Sequence, residues 1–337
     1  PAALAEDGGS RGGGGGLMRR PAWRRQGLRR LGFGLLPLLV VALIALCLAP
    51  GGGLGCARRE SAGEEATTRG AGRPAAAGEP NLLSFSRVEQ AWANGRGDGI
   101  LVAVCDWQFD LKGREAEKYV HPVSLVPGQP IGKLKPWHGE WMAEIVHAVA
   151  PGAKIIPVKA RGLNEAQEDA YEARILEGIR YAADHGAAAV TSSMGPLRDT
   201  PQLRETIDYA EARGTIFVDV HPEYSVGEDG KKAFPAAREE LDPRIVHTGV
   251  VSVPDHPATP KPSRDLYTWP YDLEAKYEDG WGYSNAPPVV AGVIALMKGV
   301  NPALTPADVR RILKETAALK DGFPVLDAAA AVAAGPR

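Results

Sequence analysis

The chain has 337 residues, a formal charge of −2 at neutral pH and a pI near 6.5. A charge so close to zero excludes the strongly basic surface with which proteins bind nucleic acid, so no nucleic-acid partner is expected. The three cysteines, Cys47, Cys56 and Cys105, are too few to build the disulfide framework of a small secreted scaffold.

The first 80 residues differ in composition from the rest. Residues 1–30 are rich in Gly and Arg and predict a disordered basic N-terminus. Residues 31–50 carry no charge and are mostly Leu, Val, Ala and Ile, which predicts a transmembrane anchor or a signal segment. The preceding arginines favour a cytoplasmic N-terminus, with the following chain on the extracytoplasmic side of a cell membrane or envelope.

A polar stretch without apolar periodicity, residues 51–80, predicts a flexible linker. Three fates of the apolar segment before it stay open: retention as an anchor, cleavage as a signal peptide, or lipidation at Cys56. The predicted domain therefore starts near residue 81 and extends to residue 337.

The first strong element of this domain is an apolar run at 100–106 that ends in Asp106. A continuous apolar run fits a strand covered on both faces, as in parallel α/β sheets. Functional groups in such sheets gather at the carboxyl ends of the strands, and Asp106 lies at that end. A short helix within 84–92 is predicted before this strand, with Val88, Ala91 and Trp92 on one face.

His138 opens the segment that leads to Ala-Pro-Gly at 150–152, and the family resemblance given below implies that a helix begins at His138 and that a strand follows this turn. A histidine at a helix start is held by its neighbours and can act as a base when an acid fixes its tautomer. We therefore take His138 as the candidate base and Asp106 as the acid that orients it. On the same helix, His147 is predicted to have no functional role.

The middle of the chain alternates helix and strand. Helices are predicted at 166–185 and 201–213, and strands at 188–195, 214–220 and 245–253, the last being the final clear strand of the chain. Residues 227–243 are predicted to be a loop, and 254–280 an irregular segment leading to the next motif. The alternation predicts a mostly parallel sheet of at least five strands with helices on both faces, a three-layer α/β/α fold.

The most distinctive motif of the chain is Gly-Tyr-Ser-Asn-Ala-Pro-Pro-Val-Val-Ala-Gly at 282–292. It places Ser284 just before a predicted apolar helix. The free N–H groups and the dipole of a helix N-terminus favour negative charge, which suits a hydroxyl that attacks a carbonyl. Further along, Thr305 is predicted to cap a helix with Pro306 in its first turn, and 326–334 to form a small closing helix.

The motif at 282–292 resembles that of the subtilisin-like serine proteases, which reads Gly-Thr-Ser-x-Ala-x-Pro-x-Val-Ala-Gly. The resemblance covers roughly residues 85–330 and includes His-Gly at 138–139 and the chain order Asp, His, Ser. It implies a subtilisin-like peptidase domain in which Asp106, His138 and Ser284 form a catalytic triad. The implied activity is that of a serine endopeptidase acting on polypeptides without a cofactor or a metal ion.

The resemblance also implies supporting residues, and here the chain departs from the family. The family's substrate-binding strand, ending in Ser-Leu-Gly, corresponds to Ser193 and Gly195, which become candidate main-chain contacts to substrate. Its oxyanion-binding Asn falls on Glu223, so the oxyanion hole is assigned to the N–H of Ser284 with Glu223 or His221. Glu140 and Glu144 replace a Thr and a Gly of the family's pattern.

Two alternatives follow from these departures. A carboxylate in place of the Asn donor leaves open an inactive pseudoprotease, a membrane-tethered domain that binds peptides or proteins without cutting them. Asp219, His221 and Glu223 alternate along one strand and would share a face, which leaves a metal site as a second alternative.

Overall fold

A computed structural model describes most of the predicted domain. The described residues are 80–132, 138–162, 171–195, 197, 199–220, 225–226, 232–233, 242–254, 256–271 and 282–335. Of the sequence predictions, the N-terminal basic, apolar and linker segments lie outside these ranges, as do His221 and Glu223.

A central sheet organises the described part of the chain. Nine strands pair in the order β10-β11-β9-β8-β5-β4-β1-β3-β2, and every pairing is parallel except that of the β10–β11 hairpin. A separate antiparallel pair is formed by β6 and β7. The strands are β1 Leu101–Asp106, β2 Val123–Ser124, β3 Lys154–Lys159, β4 Ala189–Ser192, β5 Ile216–Val220, β6 Ser225–Val226, β7 Lys232–Ala233, β8 Val246–Val250, β9 Leu266–Thr268, β10 Ala318–Lys320 and β11 Phe323–Val325.

Helices cover both faces of this sheet, which confirms the predicted three-layer α/β/α class. Within the described ranges they are α1 Leu82–Phe85, α2 Val88–Ala91, α3 His138–Val149, α4 Tyr171–Asp184, α5 Pro201–Glu211, α6 Ala286–Val300, α7 Pro306–Thr316 and α8 Ala328–Ala334. Short 3-10 turns occur at Ala116–Lys118 and Tyr283–Asn285.

Two hydrophobic cores lie on opposite faces of the sheet. One contains α3 and α6 together with α7 and α8, and the other contains α4 and α5. The strands contribute alternate residues to the two cores: Val102 and Val104 of β1 face the first, and Ala103 and Cys105 face the second. By the same alternation, Asp106 projects from the face that packs against α3.

Helix α6 is buried on all sides over most of its length, which explains why its sequence is apolar from Ala286 to Met297. Every residue from Ala286 to Lys298 is buried, and such a helix belongs in the middle of a core rather than at a surface. Close packing against α3 depends on Gly292, because a Cβ at that position would lie 2.7 Å from the side chain of Val149. The serine turn that precedes α6 is thereby held beside the helix that begins with His138.

The structure corrects several element predictions. Strand β9 lies inside the segment predicted to be irregular, and β10 and β11 follow it, so the strand at Val246–Val250 is not the last. Lys232–Ala233 forms a strand within the predicted loop at 227–243. The helix predicted within 84–92 is two short helices, because Arg87 between them has a left-handed backbone.

Other local predictions are confirmed. The Thr305 side chain accepts a hydrogen bond from the Asp308 N–H, and Pro306 lies in the first turn of α7. The closing helix is present as α8, and its Asp327 cap accepts the Ala330 N–H.

Candidate active site

The candidate site is built at the carboxyl edge of the sheet, where β1 ends in Asp106. Both carboxylate oxygens of Asp106 lie 2.9 Å from Nδ1 of His138, the first residue of α3. One of them also accepts the main-chain N–H of Trp107 at 2.7 Å. The Asp106 side chain is fully buried, whereas that of His138 is 19% exposed. A buried carboxylate bonded to one imidazole nitrogen assigns the proton to Nδ1 and leaves Nε2 as the basic atom.

Two indole rings flank the imidazole. The ring centroids of Trp107 and Trp141 lie 5.8 and 5.7 Å from that of His138, and the guanidinium of Arg161 stacks 4.3 Å above Trp107. These aromatic contacts restrict rotation of the imidazole about its side-chain bonds. The contacts themselves were not predicted, although the sequence shows Trp107 directly after Asp106 and Trp141 three residues after His138.

Ser284 lies in the 3-10 turn Tyr283–Asn285, immediately before α6. The turn is held from two directions. The carbonyl of Pro270, just after β9, accepts hydrogen bonds from the Gly282 N–H at 2.9 Å and from Nδ2 of Asn285 at 2.6 Å. The carbonyl of Ser284 accepts the hydroxyl of Ser193 at 2.8 Å.

Ser193, which follows β4, joins the serine turn to the histidine helix. Its Oγ, besides donating to Ser284, lies 3.2 Å from Sδ of Met142 on α3. The sequence prediction gave Ser193 a main-chain role toward substrate; the structure adds a side-chain role in packing. Gly195 follows with a positive φ of 91° and open space around its Cα.

The described part of the chain brings together Asp106 and His138 by a direct hydrogen bond. It places Ser284 on a turn that packs against α3. The two residues assigned with Ser284 to the oxyanion hole, His221 and Glu223, lie outside the described residues.

Asp219, the described member of the alternative metal set, pairs with His247, a histidine that nothing in the sequence singles out. Its Oδ1 lies 2.7 Å from Nδ1 of His247, and both side chains are buried on the face covered by α4 and α5, away from Asp106 and His138. Among the described residues, no three His, Cys, Asp or Glu side chains form a group that could hold a metal ion.

The remaining charged groups of α3 have their own partners. His147, expected to have no functional role, pairs with Glu115. Glu144 pairs with Arg114 at 3.1 Å.

In the part of the chain that the structure covers, no helix has both the length and the apolar character needed to traverse a bilayer.

Solved structures with the same fold define the class of this protein. MycP1 with its N-terminal propeptide removed superposes with a TM-score of 0.60, covering 75% of this chain and 96% of that one at 18% identity. Fervidolysin from Fervidobacterium pennivorans gives a TM-score of 0.58 and covers 81% of this chain and 48% of that one at 20% identity. At these identities the similarity establishes a subtilisin-like fold.

The sequence comparisons establish the family. The subtilase family model matches residues 97–221 and 223–332, so the chain belongs to the subtilase family. M-protease of Shouchella clausii (strain KSM-K16) and Subtilisin Savinase of Lederbergia lenta are each 26% identical to it over 254 residues, or 69% of this chain. The chain spans 63% of the length of the first relative and 90% of that of the second.

Proposed function

We propose that this protein is a serine endopeptidase that uses Asp106, His138 and Ser284. The observation that carries the proposal is the hydrogen bond between the half-buried His138 and the buried carboxylate of Asp106, formed at the sheet edge where α3 packs against the Ser284 turn. Membership of the subtilase family supports the same reaction class. The substrate is then a polypeptide, with Ser193 and Gly195 as candidate contacts to its main chain.

In this mechanism the Ser284 hydroxyl attacks the scissile carbonyl while Nε2 of His138 takes its proton. The imidazolium returns that proton to the leaving amine, and an acyl-enzyme remains on Ser284. Water, activated by the same imidazole, then releases the acid product and the free serine. Asp106 keeps Nδ1 protonated and stabilises the imidazolium that forms in both steps.

Negative charge on the carbonyl oxygen develops near the start of α6. The dipole of this helix favours that charge, and the N–H of Ser284, in the turn that precedes α6, is the proposed main-chain donor. The second donor of the proposed oxyanion hole is assigned to His221 or to a protonated Glu223.

A fluorophosphonate probe tests the proposal. The Ser284 oxygen should displace fluoride from phosphorus, which adds the phosphonyl mass to the peptide that contains residue 284. Labelling should be lost in Ser284→Ala and strongly reduced in His138→Ala. Ser84→Ala, which removes the hydroxyl that closes the cap of α1, serves as the matched control and should label normally. Labelling that persists in Ser284→Ala would contradict the assignment.

The second candidate is a pseudoprotease that binds extended peptides without hydrolysing them. It is favoured by Glu223, which stands in ungapped register where the family has its oxyanion Asn. Loss of such a donor costs on the order of a hundredfold to a thousandfold in rate. Under this alternative, the wild type binds a peptide but is not labelled between about pH 4 and pH 9, and Glu223→Asn restores measurable turnover.

The proposal for the location of the domain rests on the N-terminal sequence. We propose extracytoplasmic exposure at the cell membrane or envelope, on the basis of the apolar segment at 31–50 and the arginines before it. Protease protection in intact and permeabilised cells measures this directly.

A further inference from the structure

Glu140 is a carboxylate that the peptidase chemistry does not use and that the family's motif does not contain. It lies in the first turn of α3, two residues after His138, and its side chain is only 7% exposed. Burial raises the pKa of its carboxyl group. A buried acid of this kind requires partners, and the partners of Glu140 come from the segment that follows Asp106.

Three hydrogen bonds attach this segment to the start of α3. The N–H of Glu140 donates to the carbonyl of Gln108 at 3.1 Å. In the reverse direction, Oε2 of Glu140 accepts the N–H of Asp110 at 3.0 Å and the hydroxyl of Tyr119 at 2.7 Å. The exchange is reciprocal, as in a capping box, but it joins a helix to a loop about 30 residues earlier in the chain.

The two segments also lie too close for a larger residue at the helix start. A Cβ on Gly139 would lie 2.6 Å from the Gln108 carbonyl oxygen and 2.8 Å from the ring of Phe109. Phe109 in turn packs edge-on against Tyr119, with ring centroids 6.1 Å apart. Residues 108, 109 and 110 therefore contact the first turn of α3. They join the same two segments of the chain that the hydrogen bond between Asp106 and His138 joins.

We propose that Glu140 is a positioning residue that sets the geometry of the Asp106–His138 pair. Removing its carboxylate frees the Asp110 N–H and the Tyr119 hydroxyl. Next to Asp106, the loop then keeps only the main-chain bond from the Glu140 N–H to the Gln108 carbonyl, while the ion pairs of Arg114 and Glu115 hold its later part to α3. The role is mechanical: Glu140 is bonded to the protein interior and does not touch substrate. As far as it concerns catalysis, this inference rests on the proposed peptidase function.

Glutamine can replace Glu140 in this role. All of the described acceptor contacts use one oxygen, Oε2, and an amide carbonyl oxygen can accept the same two hydrogen bonds. Glu140→Gln should therefore retain activity within about threefold, whereas Glu140→Ala should lower kcat at least about tenfold with KM changed less than about twofold. Glu315→Gln, at an exposed carboxylate of α7, is the control and should behave as wild type.

The experiment combines kinetics with proton NMR. A low-field resonance of the His138 Nδ1 proton reports its hydrogen bond to Asp106 whether or not the enzyme turns over. Glu140→Ala should broaden or abolish this resonance at temperatures well below its thermal unfolding, and Glu140→Gln should retain it. If Glu140→Ala does not fold, Tyr119→Phe removes one of the two side-chain attachments and should give an intermediate loss.

Two results would overturn the inference: an alanine variant with unchanged kcat and resonance, or a glutamine variant as impaired as the alanine variant. Failure of the peptidase proposal has a different signature. In that case the wild type shows the low-field resonance but is never labelled by fluorophosphonate, and the resonance still tests the role of Glu140.

Discussion

The buried pair of Asp219 and His247 makes a strong prediction about stability. Strands β5 and β8 place the two residues opposite each other, and their side chains are 1% and 6% exposed. We consider the variants Asp219→Asn and His247→Gln, alone and together. His247→Gln removes the imidazolium from beside a buried carboxylate, and breaking a buried ion pair in this way typically costs about 3–5 kcal/mol.

The magnitude agrees with a direct estimate. Two unit charges about 4 Å apart interact by about 4 kcal/mol at the effective dielectric constant of about 20 that suits proteins. For a domain of this size, a loss of 3–5 kcal/mol lowers Tm by roughly 6–20 °C. The exposed pair of Arg311 and Glu315 is the control, since Glu315→Gln should cost less than about 1 kcal/mol.

The pair also predicts a pH dependence with a definite sign. Burial opposes the charged form of His247, but the Asp219 carboxylate outweighs it, helped by Asp265 and the main chain of Asp242, so the pKa of His247 is raised. The stabilisation is therefore fully present below about pH 6.5, the unfolded value, and is lost as pH rises through the higher folded pKa. Asp219→Asn should flatten this dependence.

Urea unfolding of the four proteins between pH 6 and pH 9 measures both effects. The double variant should be destabilised by less than the sum of the single variants, because the second substitution removes a charge that the first left unpaired. Strict additivity, or a single-variant cost below about 1 kcal/mol, would refute the claim that the two side chains form a buried ion pair.

Two further predictions concern the contacts that bring α3 to the site. Gly139→Ala should destabilise the fold by about 1–3 kcal/mol, because its Cβ would push the Gln108 carbonyl and the start of α3 apart. Activity should fall by more than the loss of folded protein explains. Circular dichroism melts measure the stability, and fluorophosphonate labelling rates of the folded protein measure the activity. Glu140→Gln should gain stability relative to wild type as pH rises from about 4.5 through neutrality. Burial raises the pKa of Glu140, so the wild type loses stability when this carboxyl ionises, whereas the amide does not titrate; a constant difference in Tm across that range would contradict the reasoning.

The long elements were predictable from sequence for a physical reason. Strand β1 and helix α6 are buried on every side, so their residues form uninterrupted apolar runs whose ends are marked by Asp106 and by the Gly-rich serine motif. Strands β9, β10 and β11 have three residues each, and a segment that short carries no periodic signal.

The polar contacts were harder to predict than the elements. Asp219 and His247 come together only because β5 and β8 are neighbours in one particular register, which no local pattern specifies. The acidic residue at position 140 was visible in the sequence as a departure from the family's motif, but its partners were not. Its attachment to Tyr119 depends on the path of the loop after Asp106, and the sequence predicted no structure for that loop.

The carbonyl of Pro270 determines how a change elsewhere in the sheet would reach the serine turn. It accepts both the Gly282 N–H and the Asn285 side-chain amide, so one peptide group just after β9 fixes both ends of the turn that carries Ser284. A substitution that displaces β9 would therefore move Ser284 without touching Asp106 or His138. The packing of β9 and the alignment of the proposed nucleophile are coupled through this single acceptor.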